Sequence, residues 1–286
     1  MPVELDQVSY TYAPGTVFEA AALDRVTVSI EDGEFVGIMG HTGCGKSTMI
    51  QLIAGLLVPS SGKVLLDGCD INDGGYRRGE LRKRVGIVFQ YPEYQLFEST
   101  VEKDVAFGLK HLALNSAEVR SRVAWALETV GLNYGEICRE SSLGLSGGEK
   151  RKVAIAGVLA MKPQILILDE PIAGLDPVAR DSFMQLLDRL HNGGTTIIIV
   201  SHNADILGDF TRRILVLNKG SLVMDGAVKD VFSDVAQMEA LNLDVSRPRK
   251  IAHLLGQRGV AIPQDIVRYE ELLTALTHLK KSGGLP

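Results

Sequence analysis

The stretch Gly40-His41-Thr42-Gly43-Cys44-Gly45-Lys46-Ser47 decides the fold. It matches the phosphate-binding P-loop, in which glycines let the backbone curl so that its N–H groups point at anionic oxygens. The flanks agree: residues 34–39 read as a buried strand and 48–57 as a helix. The positive end of that helix adds to the attraction for phosphate. Gly40, Gly43 and Gly45 supply the turn, with Cys44 as a small spacer between them. Lys46 is placed to neutralise the β- and γ-phosphates of a nucleotide such as ATP. Ser47 offers a hydroxyl to Mg²⁺, and Thr48 can donate to the α-phosphate. Alkylation of Cys44 is expected to block nucleotide binding by bulk.

Further along, Ile165-Leu166-Ile167-Leu168-Asp169-Glu170 is an apolar run that ends in two acids. As a buried strand it delivers both carboxylates to the carboxyl edge of a sheet, beside the P-loop. Asp169 is then placed to hold Mg²⁺, and Glu170 to orient and polarise an attacking water. Phosphoryl transfer needs mainly such positioning and charge stabilisation. His202 follows the apolar run 195–200, and Gln90 follows the run 85–89. Taken alone, a His or Gln after a strand is a capping or loop residue.

Around these motifs strands and helices alternate, which predicts an α/β core. Short β-like runs fill the first third at 3–8, 26–30, 63–66 and 85–89, and a later one lies at 214–217. The middle is helical. Asn115 with Glu118 reads as a helix start, Val119, Val123, Leu127 and Val130 recur at helical spacing, and Gly131 is the stop. Asp176 and Pro177 open another helix. Beyond 226, Ile251, Leu254 and Leu255 suggest one short helix, and Tyr269, Leu272, Leu273 and Leu276 a second. Residues 282–286 read as a frayed end. The expected organisation is a nucleotide-binding domain over 1–225, with a helical subdomain at about 91–160, and a helical extension over 226–286.

Bulk properties narrow the setting. The chain has 286 residues, 45% hydrophobic and 23% charged, as in soluble globular proteins. A net charge of −5 argues against a nucleic-acid partner held by a global basic field. No apolar run approaches the ~18 residues of a membrane span. The N-terminal MPVELDQVSY lacks a signal-peptide pattern, and the three scattered cysteines suit a reducing cytosol.

Leu145-Ser146-Gly147-Gly148-Glu149 opens a helix-like stretch at 150–161 and forms a second anion-binding helix start. One nucleotide needs only one P-loop; a second cradle makes sense if it caps the nucleotide of another subunit. This stretch resembles the signature of the ATP-binding-cassette (ABC) ATPases. The ordered set of P-loop, Gln90, LSGGE, LILDE, Ala173-Gly174-Leu175-Asp176 and His202 resembles that family over about residues 3–225. The resemblance implies a RecA-like α/β core with a β-rich N-terminal subdomain and a helical signature subdomain. It also implies that Tyr12 stacks on adenine, that Ser146, Gly147 and Gly148 bind the opposite nucleotide, that Asp176 lies at a dimer seam, that His202 touches the γ-phosphate, and that Gln90 contacts Mg²⁺ or the water.

A narrower resemblance covers nearly the whole chain. Tyr12-Ala13-Pro14-Gly15-Thr16, the Gly-His-Thr-Gly form of the P-loop, Gln90-Tyr91-Pro92-Glu93-Tyr94-Gln95-Leu96-Phe97 and the tail are similar to the ATPases of energy-coupling factor (ECF) transporters. The P-loop form resembles the second of that family's two ATPase paralogues. The resemblance implies peripheral attachment at the cytoplasmic membrane face. The implied partners are a second ATPase, identical or paralogous, a transmembrane coupling subunit and a small substrate-binding membrane subunit. It also implies uptake of a vitamin or transition-metal ion, and a C-terminal extension that joins the two ATPases. The sequence departs from the pattern at Cys44, Glu149, Ile172 and Lys110, where Ser, Gln, Thr and Pro are usual. The competing readings are a conventional ABC transporter ATPase and a soluble ABC ATPase. The Gln-Tyr-Pro-Glu segment and helical tail speak against the first, and the single cassette without sustained heptads against the second.

Overall fold

The computed structural model describes residues 2–281; the expected frayed end at 282–286 lies outside the described residues. An antiparallel hairpin, β1 (Val3–Tyr12) and β2 (Ala20–Ile30), opens the chain. The glycine loop then lies between β3 (Phe35–Met39) and α1 (Lys46–Ile53). β4 (Ser61–Leu66) and β5 (Cys69–Asp70) complete an antiparallel sheet of order β2-β1-β4-β5. α2 (Arg78–Arg84) and β6 (Val85–Val88) lead into a helical segment: α3 (Val101–Ala106), α4 (Ser116–Thr129), α5 (Tyr134–Ile137) and α6 (Gly147–Leu159). The chain returns through β7 (Ile165–Asp169), α7 (Pro177–Asn192), β8 (Thr196–Val200), α8 (Ala204–Phe210), β9 (Arg213–Asn218) and β10 (Ser221–Ala227). The second sheet has the order β10-β9-β3-β8-β7-β6, parallel from β9 to β6, with β10 antiparallel at the edge.

The apolar runs of β7, β8 and β9 bury both faces of this sheet, as parallel strands must. Side chains alternate between two cores. Ile165, Ile167, Ile198, Val200, Leu215 and Leu217 pack with α1 and the antiparallel sheet. Leu166, Leu168, Ile197, Ile199, Ile214 and Val216 pack with the helical segment, through Val123, Leu127, Val153 and Ala156.

Local signals set the helix limits. Asn115 and Glu118 form the expected capping box: Asn115 Oδ1 accepts from Ala117 N–H and Glu118 N–H, both at 3.0 Å, and Glu118 Oε2 accepts from Asn115 N–H at 2.8 Å. Such a cap stabilises a helix by about 1 kcal/mol. Gly131, at φ 77°, ends α4 as expected. Several boundaries differ from the sequence expectation, three of them beside the site. α1 starts at Lys46, not 48, and stops at Ile53, because Gly55 takes φ 67°. β6 ends at Val88, so Gln90 lies in the loop beyond it. α6 begins at Gly147, earlier than 150, because Ser146 caps it.

The C-terminal region has two parts. α9 (Val228–Ser233) and α10 (Val235–Ala240) add Val228, Val231, Phe232, Val235 and Met238 to the main core. α11 (Arg247–Gln257) and α12 (Tyr269–Lys281) share a small cluster of Ala252, Ile262, Ile266 and Leu272. Buried Arg249 stitches the parts together, donating to Phe232 O at 3.0 Å and Ser233 O at 2.9 Å. The residues that announce the last two helices in sequence are partly turned outward: Ile251, Leu254, Tyr269 and Leu273 are exposed.

Candidate nucleotide-binding and catalytic site

Parallel register brings the ends of four strands to one edge. Ile38 pairs with Val200, Leu168 with Ile199, and Val88 with Leu168. The P-loop, Asp169-Glu170, His202 and Gln90 therefore all leave the sheet at its carboxyl edge, where ligands bind in open α/β folds.

The P-loop is braced from behind. A Cβ on Gly40 would stand 2.4 Å from Leu217 O, and one on Gly45 would stand 2.4 Å from Ala22 O, so only glycine fits either place. His41 Nε2 lies 3.0 Å from Asn218 Oδ1, and Gly220 N–H donates to Cys44 O at 3.0 Å. The β9–β10 turn thus holds the loop, a brace that the sequence did not announce. Lys46 Nζ donates to Gly40 O at 2.6 Å and His41 O at 2.9 Å, which keeps the ammonium against the loop. Cys44 is fully buried in the core beneath the loop. Its thiol is a packing group, and only its backbone is available to a phosphate. The expected blocking by alkylation therefore lacks an accessible sulfur.

Ser47 Oγ donates to Asp169 Oδ2 at 3.1 Å, so hydroxyl and carboxylate converge on one spot. Burial pushes the Asp169 carboxyl up from its ordinary range; the Ser47 hydrogen bond opposes this and the neighbouring Glu170 charge adds to it. Glu170 stands at φ 46°, with its N–H donating to Val200 O at 3.0 Å. Glu170 Oε1 accepts from His202 N–H at 3.0 Å and lies 2.9 Å from His202 Nδ1. Glu170 Oε2 is buried and has no hydrogen-bond partner. Tyr12 lies beside the same loop, its hydroxyl 3.1 Å from Thr48 Oγ1. Gln90 is exposed in the loop after β6, and its side chain makes no hydrogen bond to Asp169 or Glu170.

The second helix start is built differently. Ser146 caps α6, and Glu149 Oε2 accepts from Ser146 N–H at 3.0 Å and Ser146 Oγ at 2.6 Å. These bonds hold the Glu149 carboxyl below its ordinary range. Glu thus completes the same capping box that Gln would. A Cβ on Gly147 or Gly148 would meet nothing within 4 Å among the described residues. Asp176 caps α7, its Oδ1 accepting from Val178 N–H and Ala179 N–H at 2.9 Å each.

Sequence reasoning missed Arg151. It lies on α6 and is 6% exposed, yet its guanidinium bonds backbone carbonyls beyond Glu170: Nη1 donates to Ala173 O at 2.8 Å, and Nη2 donates to Pro171 O. It sits between Lys150 and Lys152 in the charged start of α6, so nothing in the sequence set it apart from its solvated neighbours.

A P-loop, a strand-end Asp-Glu pair and a capped Ser-Gly-Gly helix start on one α/β chain define a nucleotide-hydrolysing cassette. Residues 23–173 match the family model described as ABC transporter, and the chain belongs to that family. Its curated relatives include two called energy-coupling factor transporter ATP-binding protein EcfA2. The one from Clostridium acetobutylicum is 44% identical over 286 residues, covering 98% of this chain and all (100%) of the relative. The one from Symbiobacterium thermophilum is 47% identical and covers 96% of each chain. Among solved structures, cbiO1 from Clostridium perfringens, part of the ABC transporter complex cbiONQ, aligns with TM-score 0.72 and 38% identity, covering 89% of this chain and 98% of that one. The ATP-binding cassette MJ0796, dimeric and bound to ADP and Pi, aligns with TM-score 0.69 and 33% identity, covering 79% of this chain and 98% of that one. These matches agree with the sequence expectation of an ECF-type ATPase of the second paralogue kind. The chain is an ATP-binding ABC ATPase. Among the described residues no helix is long and apolar enough to cross a membrane.

Proposed function

We propose that this chain is the ATP-driven motor of an ECF-type importer, working head to tail with a second ATPase so that each ATP lies between one P-loop and the partner's signature. The observation that carries the pairing is the bare helix start at Ser146-Gly147-Gly148. Neither glycine has a neighbour that a side chain would strike. The space they leave suits a phosphate brought by another subunit.

In each site Gly40, Gly43, Cys44 and Gly45 present backbone to the phosphates, Lys46 offsets their charge, Thr48 donates a hydroxyl, and Tyr12 stacks on the base. Ser47 and Asp169 fit Mg²⁺, since a hydroxyl and a carboxylate already meet there at 3.1 Å, and Gln90 completes the set. Bound Mg²⁺ would neutralise charge on the β- and γ-phosphates. His202 holds one oxygen of Glu170 and so fixes the orientation of the carboxylate that is to accept a proton from the attacking water. Ser146, Gly147 and Gly148 receive the γ-phosphate of the opposite site, with Asp176 at the seam.

The attachment is to the cytoplasmic face of a membrane. Tyr91, Tyr94 and Phe97 are exposed in the loop after Gln90 and Phe107 stacks edge-on against Phe97, a patch that suits a helix of a transmembrane coupling subunit. The outward apolar residues Ile251, Leu254, Tyr269 and Leu273 suit a joint between the two ATPases, which makes 226–286 a dimerisation extension. The cargo is a vitamin or transition-metal ion, chosen by a separate small membrane subunit.

The test is Glu170→Gln. The variant is expected to bind ATP normally, hydrolyse it ~10²–10⁴-fold more slowly, and accumulate an ATP-dependent dimer with its partner ATPase in sedimentation. Near-normal turnover would move the base to another residue, and an ATP-bound monomer would end the head-to-tail reading.

A further inference from the structure

We propose that Arg151 is a positioning residue that ties the signature helix and the loop after Gln90 to the segment running from Glu170 to Asp176. The inference rests on the reading of Glu170 as the base. Arg151 sits five residues past Ser146 on α6 and is 6% exposed. Its two terminal nitrogens grip the carbonyls of Ala173 and Pro171, within three residues of Glu170. Burial lowers the Arg151 pKa, and Glu93 and Tyr91, from the loop after Gln90, oppose that shift. A guanidinium kept in such a place is costly unless its bonds matter to the fold or the reaction.

The turn that carries Glu93 packs directly against α6, which places its carboxylate near Arg151 without a direct bond between them. Arg151 Nε and Glu93 Oε2 are both buried without a hydrogen-bond partner. Glu93 lies in the short helical turn Pro92–Gln95, between exposed Tyr91 and Tyr94. A displacement of that turn changes how Glu93 compensates Arg151, and Arg151 hands the change to the carbonyls beside Glu170. One side chain thereby joins the proposed docking loop, the signature helix and the hydrolytic strand end. The planar fork is essential, because an ammonium cannot hold two divergent carbonyls with the same geometry.

The experiment compares wild type, Arg151→Lys, Arg151→Met, Glu93→Gln and the double variant Glu93→Gln/Arg151→Met, with Glu170→Gln as reference. Steady-state ATPase of the assembled transporter, binding of a fluorescent ATP analogue and thermal melting are read for each. Arg151→Lys is expected to melt near wild type and keep its KM and nucleotide affinity within about twofold, while kcat falls about tenfold or more; a misaligned catalytic group has this effect. Glu93→Gln is expected to lower kcat alone but to add nothing to Arg151→Met, the mark of two residues coupled through the packing of the turn on α6. Wild-type kcat in Arg151→Lys overturns the role of the fork. A parallel fall in affinity and melting temperature overturns the positioning role in favour of a purely structural one. Additive effects of the two sites overturn the link to Glu93. If Glu170→Gln itself turns over normally, the reading of Glu170 has failed, whatever Arg151 does.

Discussion

Glu170 is held in the left-handed region at φ 46°, a conformation a non-glycine residue adopts at a cost of about 1–3 kcal/mol. Its N–H extends the β7–β8 pairing to Val200 O, and His202 fixes one carboxylate oxygen. The strain is what turns the carboxylate out of the sheet one residue past the end of β7. The same close view separates the cysteines. Cys44 and Cys138 are buried and Cys69 is exposed. A thiol reagent applied to the native protein is expected to label Cys69 quickly and leave ATP binding intact, with the other two reacting only on unfolding. Rapid loss of ATP binding with label at Cys44 would contradict the packing beneath the P-loop. The site was legible where chemistry and local order coincide: Lys46-Ser47 after a strand, Asp169-Glu170 at the end of one. Arg151 was not legible, because its partners lie 20 and 22 residues away and are backbone carbonyls, which carry no residue signature.

The element that links the active edge to the tail is α8, which starts two residues after His202. Asp205 on α8 accepts from Arg247 N–H at 2.6 Å and pairs with the Arg247 side chain at 3.3 Å. Gly208 packs so closely that a Cβ would stand 3.1 Å from Val267 O. Half-buried Asp209 is pushed up to about 6, first by burial and then by the Asp205 charge, with Glu270 adding and the Tyr269 backbone and Arg268 opposing. A carboxyl whose folded pKa is raised stabilises the fold most at low pH, and that contribution is lost as pH rises through about 6. Asp209→Asn is therefore expected to raise the melting temperature at neutral pH, by a gain that shrinks as pH falls towards about 4. A gain independent of pH would contradict the assignment. Helices with a cap and a clear apolar stripe, such as α4, could be read from sequence. α8, α9 and α10 could not, since each is only six or seven residues long and is fixed by tertiary contacts. β10 was hidden for a different reason: its exposure alternates as an edge strand's should, but its residues, Leu222-Val223-Met224 then Asp225-Gly226, show no apolar–polar alternation.

At the scale of the molecule, the proposed reading has the parallel sheet gather one half of an ATP site at its carboxyl edge, and the helical segment carry a half-site that no described residue completes. The exposed aromatic patch at Tyr94 and Phe97 and the apolar faces of α11 and α12 are two further surfaces that the described chain leaves uncovered. In the proposed assembly a second ATPase and membrane subunits cover these surfaces. The most direct measurement is to tag the chain, solubilise native membranes in mild detergent, and identify what co-purifies with wild type and with the Tyr94→Ala/Phe97→Ala variant. The expected result is a second ATPase with one larger and one small membrane protein for wild type, and the ATPase partner without the membrane proteins for the variant. Recovery of no membrane protein with wild type, or of a symmetric pair of large membrane domains, would contradict the ECF account while leaving the ATPase chemistry standing.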